Sequence, residues 1–426
     1  MAPPHRLVAV DLARTLALIF MFVAHTAPND GPGRILMLSE FLTAPLFAFL
    51  VGVSLMLSAA QAQSCNTHAR TWALGQMVRA SILVVSGIIL ALATPSVVII
   101  LIHLGVLIVV CLPLVALRTR TVAMVGVLCG LAGVLITAWV EVRPSAGGHF
   151  DSSGNVSTSG LFGPGGLFSP DSYAKLLSLI PAPAPAIQDF FQVISAGGTY
   201  RISLFVLYAC AGIIVIRRLT GCGPARLMHP SSRQDLPMKS ASPMLTDRML
   251  LSSLPTAVPL PSLPNLPSRT GVFSMALAAV IATAISALFI VVPNLLGDPV
   301  HAYSGTLKET VGNLAGVIGI ILWCTALTRL PWTRGRTLGQ AVPQLLIAPG
   351  RMTFSLYVMQ VVALYVITRG LSMSDDSWAV LAALILGSYA IVAIWRWFGP
   401  AAPWSRGPLE GVTALAERAV RRLSLV

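Results

Sequence analysis

Residues 10–25 read VDLARTLALIFMFVAH. The stretch has the length and apolar content of a membrane-crossing helix, yet it holds an aspartate, an arginine and a histidine. About 20 apolar residues in a helix span a hydrocarbon core of roughly 30 Å, and runs of this kind recur down the chain. Of the 426 residues, 55% are hydrophobic and 10% charged, whereas a soluble domain is about a quarter charged. A transmembrane β-barrel would show short alternating segments instead. The fold class is all-α, a polytopic membrane protein. Asp11 and Arg14 also interrupt the apolar region that a cleavable signal peptide requires, so the first segment is expected to stay as a helix.

Ten spans are expected, at about 7–27, 36–60, 78–94, 96–117, 121–141, 201–217, 271–293, 306–328, 348–369 and 376–398. The basic residues give them an orientation. With the N-terminus inside, 21 of the 28 Lys and Arg residues fall on the inner side and six on the outer side, and Arg14 lies within a span. Both termini are therefore expected in the cytoplasm, and the net charge of +13 reads as topology and contact with anionic lipid, not as a nucleic-acid surface. The six cysteines fall in spans or on the inner side, so no extracytoplasmic disulfide is expected, and no C-x-x-C metal spacing appears.

The expected organisation is a six-helix part (1–217) with an extracytoplasmic loop at 142–200, a linker at 218–270, a four-helix part (271–398) and a tail at 399–426. The loop begins Gly/Ser-rich and ends more apolar, as either a cover for a substrate opening or a structural flap. The linker, rich in Pro and Ser, lacks the apolar content for a core and is expected to be disordered. In the tail, Leu409, Val412, Leu415, Ala416, Ala419 and Leu423 fall near one face of a helix, with Arg418, Arg421 and Arg422 beside or opposite. That pattern suits a helix lying on the inner leaflet.

Charged groups inside a bilayer are costly and mark pathways or reaction sites. On a helix, Arg14 and His25 are eleven residues apart, so they point within about 20° of one another and lie roughly 16 Å apart along the axis. Asp11 is one turn from Arg14, within pairing distance. Asp11 and Arg14 thus occupy the inner half and His25 the outer end. The plainer account is a packing ion pair and an interfacial histidine.

Arg14 and His25, spaced R-x10-H and preceded by Asp11, resemble the first-helix motif of the acyltransferase-3 family. FAFLVGVSL (47–55) resembles the second helix of heparan-α-glucosaminide N-acetyltransferase and its bacterial relatives. GRMTFSLYVMQ (350–360) and RGPLE (406–410) are similar to the closing segments of a related bacterial group. These families place Gly directly after the arginine, where close approach is possible; this chain has Thr15. The resemblance implies transfer of an acyl group, usually acetyl, from cytoplasmic acyl-CoA to a sugar or glycolipid across the membrane. It also suits a bacterial plasma membrane.

That chemistry assigns expected roles. His25 is the candidate general base for an acceptor hydroxyl or amine, with transient acylation of its ring as the alternative. Arg14 would line the donor path or orient the site, with Asp11 fixing its side chain. Arg79, at the expected inner start of the third span, and Arg70 behind it are candidates for the donor phosphates, since Arg makes bidentate phosphate contacts; membrane anchoring is the plainer reading. Thr353, Tyr357 and Gln360 share a helix face and would line the pantetheine arm or serve as polar glue between helices. His103, His301 and Ser304 are candidates for binding the acceptor on the outer side. The rival function is a proton-coupled transporter or lipid flippase using the Asp11, Arg14 and His25 stripe. No Walker sequence, nucleotide-binding Gly motif or metal cluster stands out in the sequence.

Overall fold

A computed structural model describes residues 7–28, 38–65, 67–93, 99–141, 200–225, 269–295, 300–333, 336–337, 344–372, 374, 376–398 and 401–423. The loop expected at 142–200 and the linker expected at 218–270 lie almost wholly outside these residues.

The described residues are helical throughout, apart from a small ribbon pairing Pro331–Thr333 with Arg336–Thr337. The helices are α1 (Val8–Thr26), α2 (Leu38–Ser64), α3 (Ala69–Ala93), α4 (Leu101–Cys111), α5 (Thr119–Glu141), α6 (Ile202–Thr220), α7 (Arg269–Leu295), α8 (Leu307–Arg329), α9 (Thr353–Tyr365), α10 (Trp378–Trp397) and α11 (Pro408–Leu423). Eight of them are long and apolar enough to cross a membrane, α9 by way of a π-helical extension to Gly370; α4 and α5 supply two shorter apolar stretches. Large apolar side chains such as Ile89, Leu128, Phe273, Leu288 and Leu386 are exposed on the outer surface of the bundle. A surface of that kind is stable in hydrocarbon and not in water. The chain is an all-helical, polytopic integral membrane protein.

Every expected span contains a helix, but two boundaries move. The third helix starts at Ala69, not near 78, because Trp72, Gln76 and Ala80 recur every four residues and are all buried. The fourth is interrupted at Pro113, whose missing amide ends α4 and leaves a short 3-10 turn, Pro113–Ala116.

Packing places α1 at the centre. None of its described residues is exposed, and it packs against α2, α8, α9, α10 and the turn Pro349–Arg351. α2 crosses α6 with almost no space between backbones: a Cβ on Gly52 would strike the Ala209 carbonyl, and one on Gly212 the Phe49 carbonyl. Small residues at a crossing permit this approach where lipid offers no hydrophobic drive. Arg217, 4% exposed, ties the end of α6 to the α4–α5 connection. Its guanidinium donates to the carbonyls of Val115 at 2.7 Å and Leu117 at 2.9 Å, which the 3-10 turn leaves without helical partners.

Candidate functional site

The buried Asp11 carboxylate, 2% exposed, organises one end of α1. Arg14 approaches its Oδ1 at 3.3 Å from one turn along the same helix. Arg351 approaches Oδ2 at 3.2 Å from the far end of the sequence. Arg14 also donates to Ser54 Oγ of α2 at 2.7 Å, and Ser54 in turn donates to the Leu50 carbonyl. Two cations and one anion make the trio cationic. Neither guanidinium is sealed, since Arg14 keeps 23% and Arg351 25% of its side-chain surface.

Arg351 reaches Asp11 because the turn Pro349–Arg351 lies directly on α1. A Cβ on Gly350 would overlap the Asp11 carbonyl and the Thr15 hydroxyl. The Gly350 amide donates to Thr15 Oγ1 at 3.0 Å, and the same hydroxyl donates to the Asp11 carbonyl at 3.1 Å. The small residue that permits close approach is therefore on the facing turn, and Thr15 uses its hydroxyl to seat it. Thr353 Oγ1 donates to the Gly350 carbonyl at 2.9 Å, closing the turn into α9.

His25 sits half-buried in the last turn of α1. The adjacent Thr26 carbonyl accepts the Ser377 amide at 3.0 Å, which docks the start of α10 there. The same end of the bundle carries a second polar group. Glu309, in the first turn of α8, accepts the Gly305 amide at 2.6 Å, the Tyr303 amide at 2.8 Å, and Ser304 Oγ and Asn313 Nδ2 at 3.1 Å. The 300–306 segment thus wraps around one buried carboxylate. Tyr303 lies edge-on to Tyr200 at 5.6 Å between centroids, and Tyr200 edge-on to His103 at 5.3 Å. Phe205 completes this aromatic group. Burial raises the phenols of Tyr200 and Tyr303 above the usual tyrosine range, so both remain neutral.

The residues singled out in the sequence thus fall into separate places. Asp11 and Arg14 pair directly, with Thr353 just beyond the turn they hold. Tyr357 does not face that trio: its hydroxyl accepts the Ile100 amide at 3.2 Å, at the start of the helix that carries His103. Gln360 is 1% exposed, and among the described residues neither its amide oxygen nor its nitrogen has a hydrogen-bond partner. Ser304 belongs to the Glu309 network, while His301 is exposed at its edge. Arg70 is exposed in the first turn of α3, and Arg79 lies half-buried ten residues in, not at the helix mouth. Arg351, Ser54 and Gly350 were missed as site residues. Gly350 and Arg351 open the GRMTFSLYVMQ motif, which was the available signal. Among the described residues, no three His, Cys, Asp or Glu side chains gather where a metal ion would be held.

Comparison with known proteins adds no relative: no protein-family model matches the chain, and no curated protein is significantly similar to it.

Proposed function

We propose that the protein is a membrane acyltransferase. It would take an acyl group, with acetyl the expected one, from cytoplasmic acyl-CoA and deliver it to a carbohydrate or glycolipid on the extracytoplasmic side of a bacterial plasma membrane. In this reading all ten apolar helices cross, both termini are cytoplasmic, and the Asp11 end of α1 faces the donor.

The observation that carries the reading is the Asp11–Arg14–Arg351 assembly. One carboxylate fixes two partly exposed guanidiniums in a cationic pair, an arrangement suited to a phosphate or to the polarised oxygen of a thioester. His25 stands further along the same helix, about three turns from Arg14. There it would accept the proton of an acceptor hydroxyl as that oxygen attacks the thioester carbonyl. The C–S bond breaks, and the thiolate leaves and is protonated. If His25 is instead acylated first, the acceptor attacks the acyl-imidazole. Buried Gln360, whose amide bonds to none of the described residues, also fits a passage for a polar chain. An unsatisfied buried amide costs about 1–3 kcal/mol per group, and the amide-rich arm of acyl-CoA would remove that cost.

The test is binding and turnover on purified protein in lipid nanodiscs. Saturable acetyl-CoA binding, weakened in Arg351→Ala, together with retained binding but lost acyl transfer in His25→Ala, supports the proposal. Absence of any acyl-CoA binding removes it and leaves transport as the better reading.

A further inference from the structure

The two sequence motifs at the end of the chain, GRMTFSLYVMQ and RGPLE, meet in the structure through Glu410. Its Oε1 accepts the amides of Phe354 at 2.8 Å and Ser355 at 3.2 Å. These are two of the first-turn amides of α9, which have no intrahelical partner. Its Oε2 accepts the Ser355 hydroxyl. In return, Ser355 Oγ accepts the amide of Leu409 at 3.1 Å, in the first turn of α11. Each helix thereby caps the other. The residue preceding α9, Met352, makes no side-chain cap of its own, and a carboxylate here also meets the positive end of the α9 dipole.

The carboxylate is held on its own side as well. Gly407, at φ 132°, lies against Glu410 where a side chain would collide with it. Gly411, one turn on, packs under Trp404, whose carbonyl accepts the Trp395 indole of α10 at 2.9 Å. Of the apolar stripe of α11, Val412 and Leu415 stay exposed, while Leu409 and Ala416 are half-buried.

Only two residues, Met352 and Thr353, separate Arg351 from Phe354, and hydrogen bonds stiffen the interval. Arg351 and Met352 donate to the carbonyls of Ala348 and Pro349, Leu356 to that of Met352, and Thr353 to that of Gly350. A force on the α9 amides is therefore felt at Gly350 and Arg351. We infer that Glu410 is a positioning residue for the Asp11–Arg14–Arg351 site: by capping α9 from the C-terminal helix, it sets the turn that carries Arg351 to Asp11.

Amide hydrogen exchange on the full-length protein in nanodiscs tests this without any assumption about the reaction. In Glu410→Ala, exchange at Phe354 and Ser355 is expected to rise about tenfold or more, and the increase is expected to reach the Gly350 amide that reports on the Thr15 contact. An increase confined to 354–355, or none, overturns the inference. If Glu410→Ala does not fold, Glu410→Gln and Ser355→Ala, which weaken the same cap more mildly, are read the same way. The kinetic arm rests on the acyltransferase proposal: a raised KM for acetyl-CoA with kcat little changed separates positioning from a loss of folded protein, which lowers only apparent kcat. A wild-type protein without acyl transfer sinks that proposal, while the exchange data still decide the role of Glu410.

Discussion

Arg351 Nε lies 3.2 Å from Asp11 Oδ2, joining residues 340 positions apart. Because Asp11 is already paired with Arg14, this contact converts a local ion pair into a two-cation site and fastens the last third of the chain to the first helix. The site and the fold share one carboxylate.

Replacing Asp11 by Ala is expected to cost both functions. Breaking a fully buried pair costs about 3–5 kcal/mol; since both guanidiniums keep about a quarter of their surface, a smaller loss of about 1–3 kcal/mol is expected. A lowered Tm in detergent together with weakened acyl-CoA binding is the expected result. An unchanged Tm would show that the carboxylate does not hold the two arginines.

Gly350→Ala should be more damaging than its size suggests. The new methyl group meets the backbone of α1, which cannot move aside as a flexible side chain could, and overpacking of this kind costs about 1–3 kcal/mol or more. Thr15→Ala removes both hydrogen bonds of the hydroxyl, to the Asp11 carbonyl and from the Gly350 amide, and deprives that amide of its acceptor, for about 1–2 kcal/mol. Thermal unfolding should rank the two, with Gly350→Ala the less stable.

Arg217→Met separates stability from function. It leaves the carbonyls of Val115 and Leu117 without their charged donor, a loss of about 2–3 kcal/mol. Since Arg217 bonds to Met56, Leu117, Thr119 and Val115 and not to the Asp11 trio, the acyl-CoA affinity proposed for that trio should be unchanged per folded molecule while Tm falls.

Burial raises the Glu410 carboxyl above the usual glutamate range, outweighing the donors that act to lower it. A carboxyl with a raised folded pKa holds its proton more tightly folded than unfolded. Its protonation therefore adds stability at acid pH, and that contribution is lost as pH rises through the folded pKa. The Tm advantage of wild type over Glu410→Ala should narrow from acid to neutral pH. A widening advantage would contradict this.

The sequence reading reached the helices and the Asp11–Arg14 pair because both depend on local spacing. Apolar runs reveal spans, and residues three apart on a helix meet whatever surrounds them. It did not reach Arg351, which looked like one of many basic residues flanking a span; only the three-dimensional path of the chain singles it out. Thr353, Tyr357 and Gln360 share a helix face as expected, yet Thr353 bonds to Gly350, Tyr357 to Ile100 and Gln360 to neither. Helical periodicity assigns a direction and says nothing of what lies there. Thr15 shows the same limit, since the close approach expected of a glycine at that place was supplied by Gly350 on the opposite surface.

The long interval between Asp11 and Arg351 also has a meaning for biosynthesis. At roughly 5–20 residues per second, a ribosome needs on the order of 20–70 s to travel from one to the other. Arg14 can accompany Asp11 into the bilayer from the moment the first helix forms, whereas Arg351 arrives near the end of translation. The nascent N-terminal helix must therefore wait in the lipid with a half-built ionic centre, and a chain interrupted before residue 351 would expose that defect to membrane quality control.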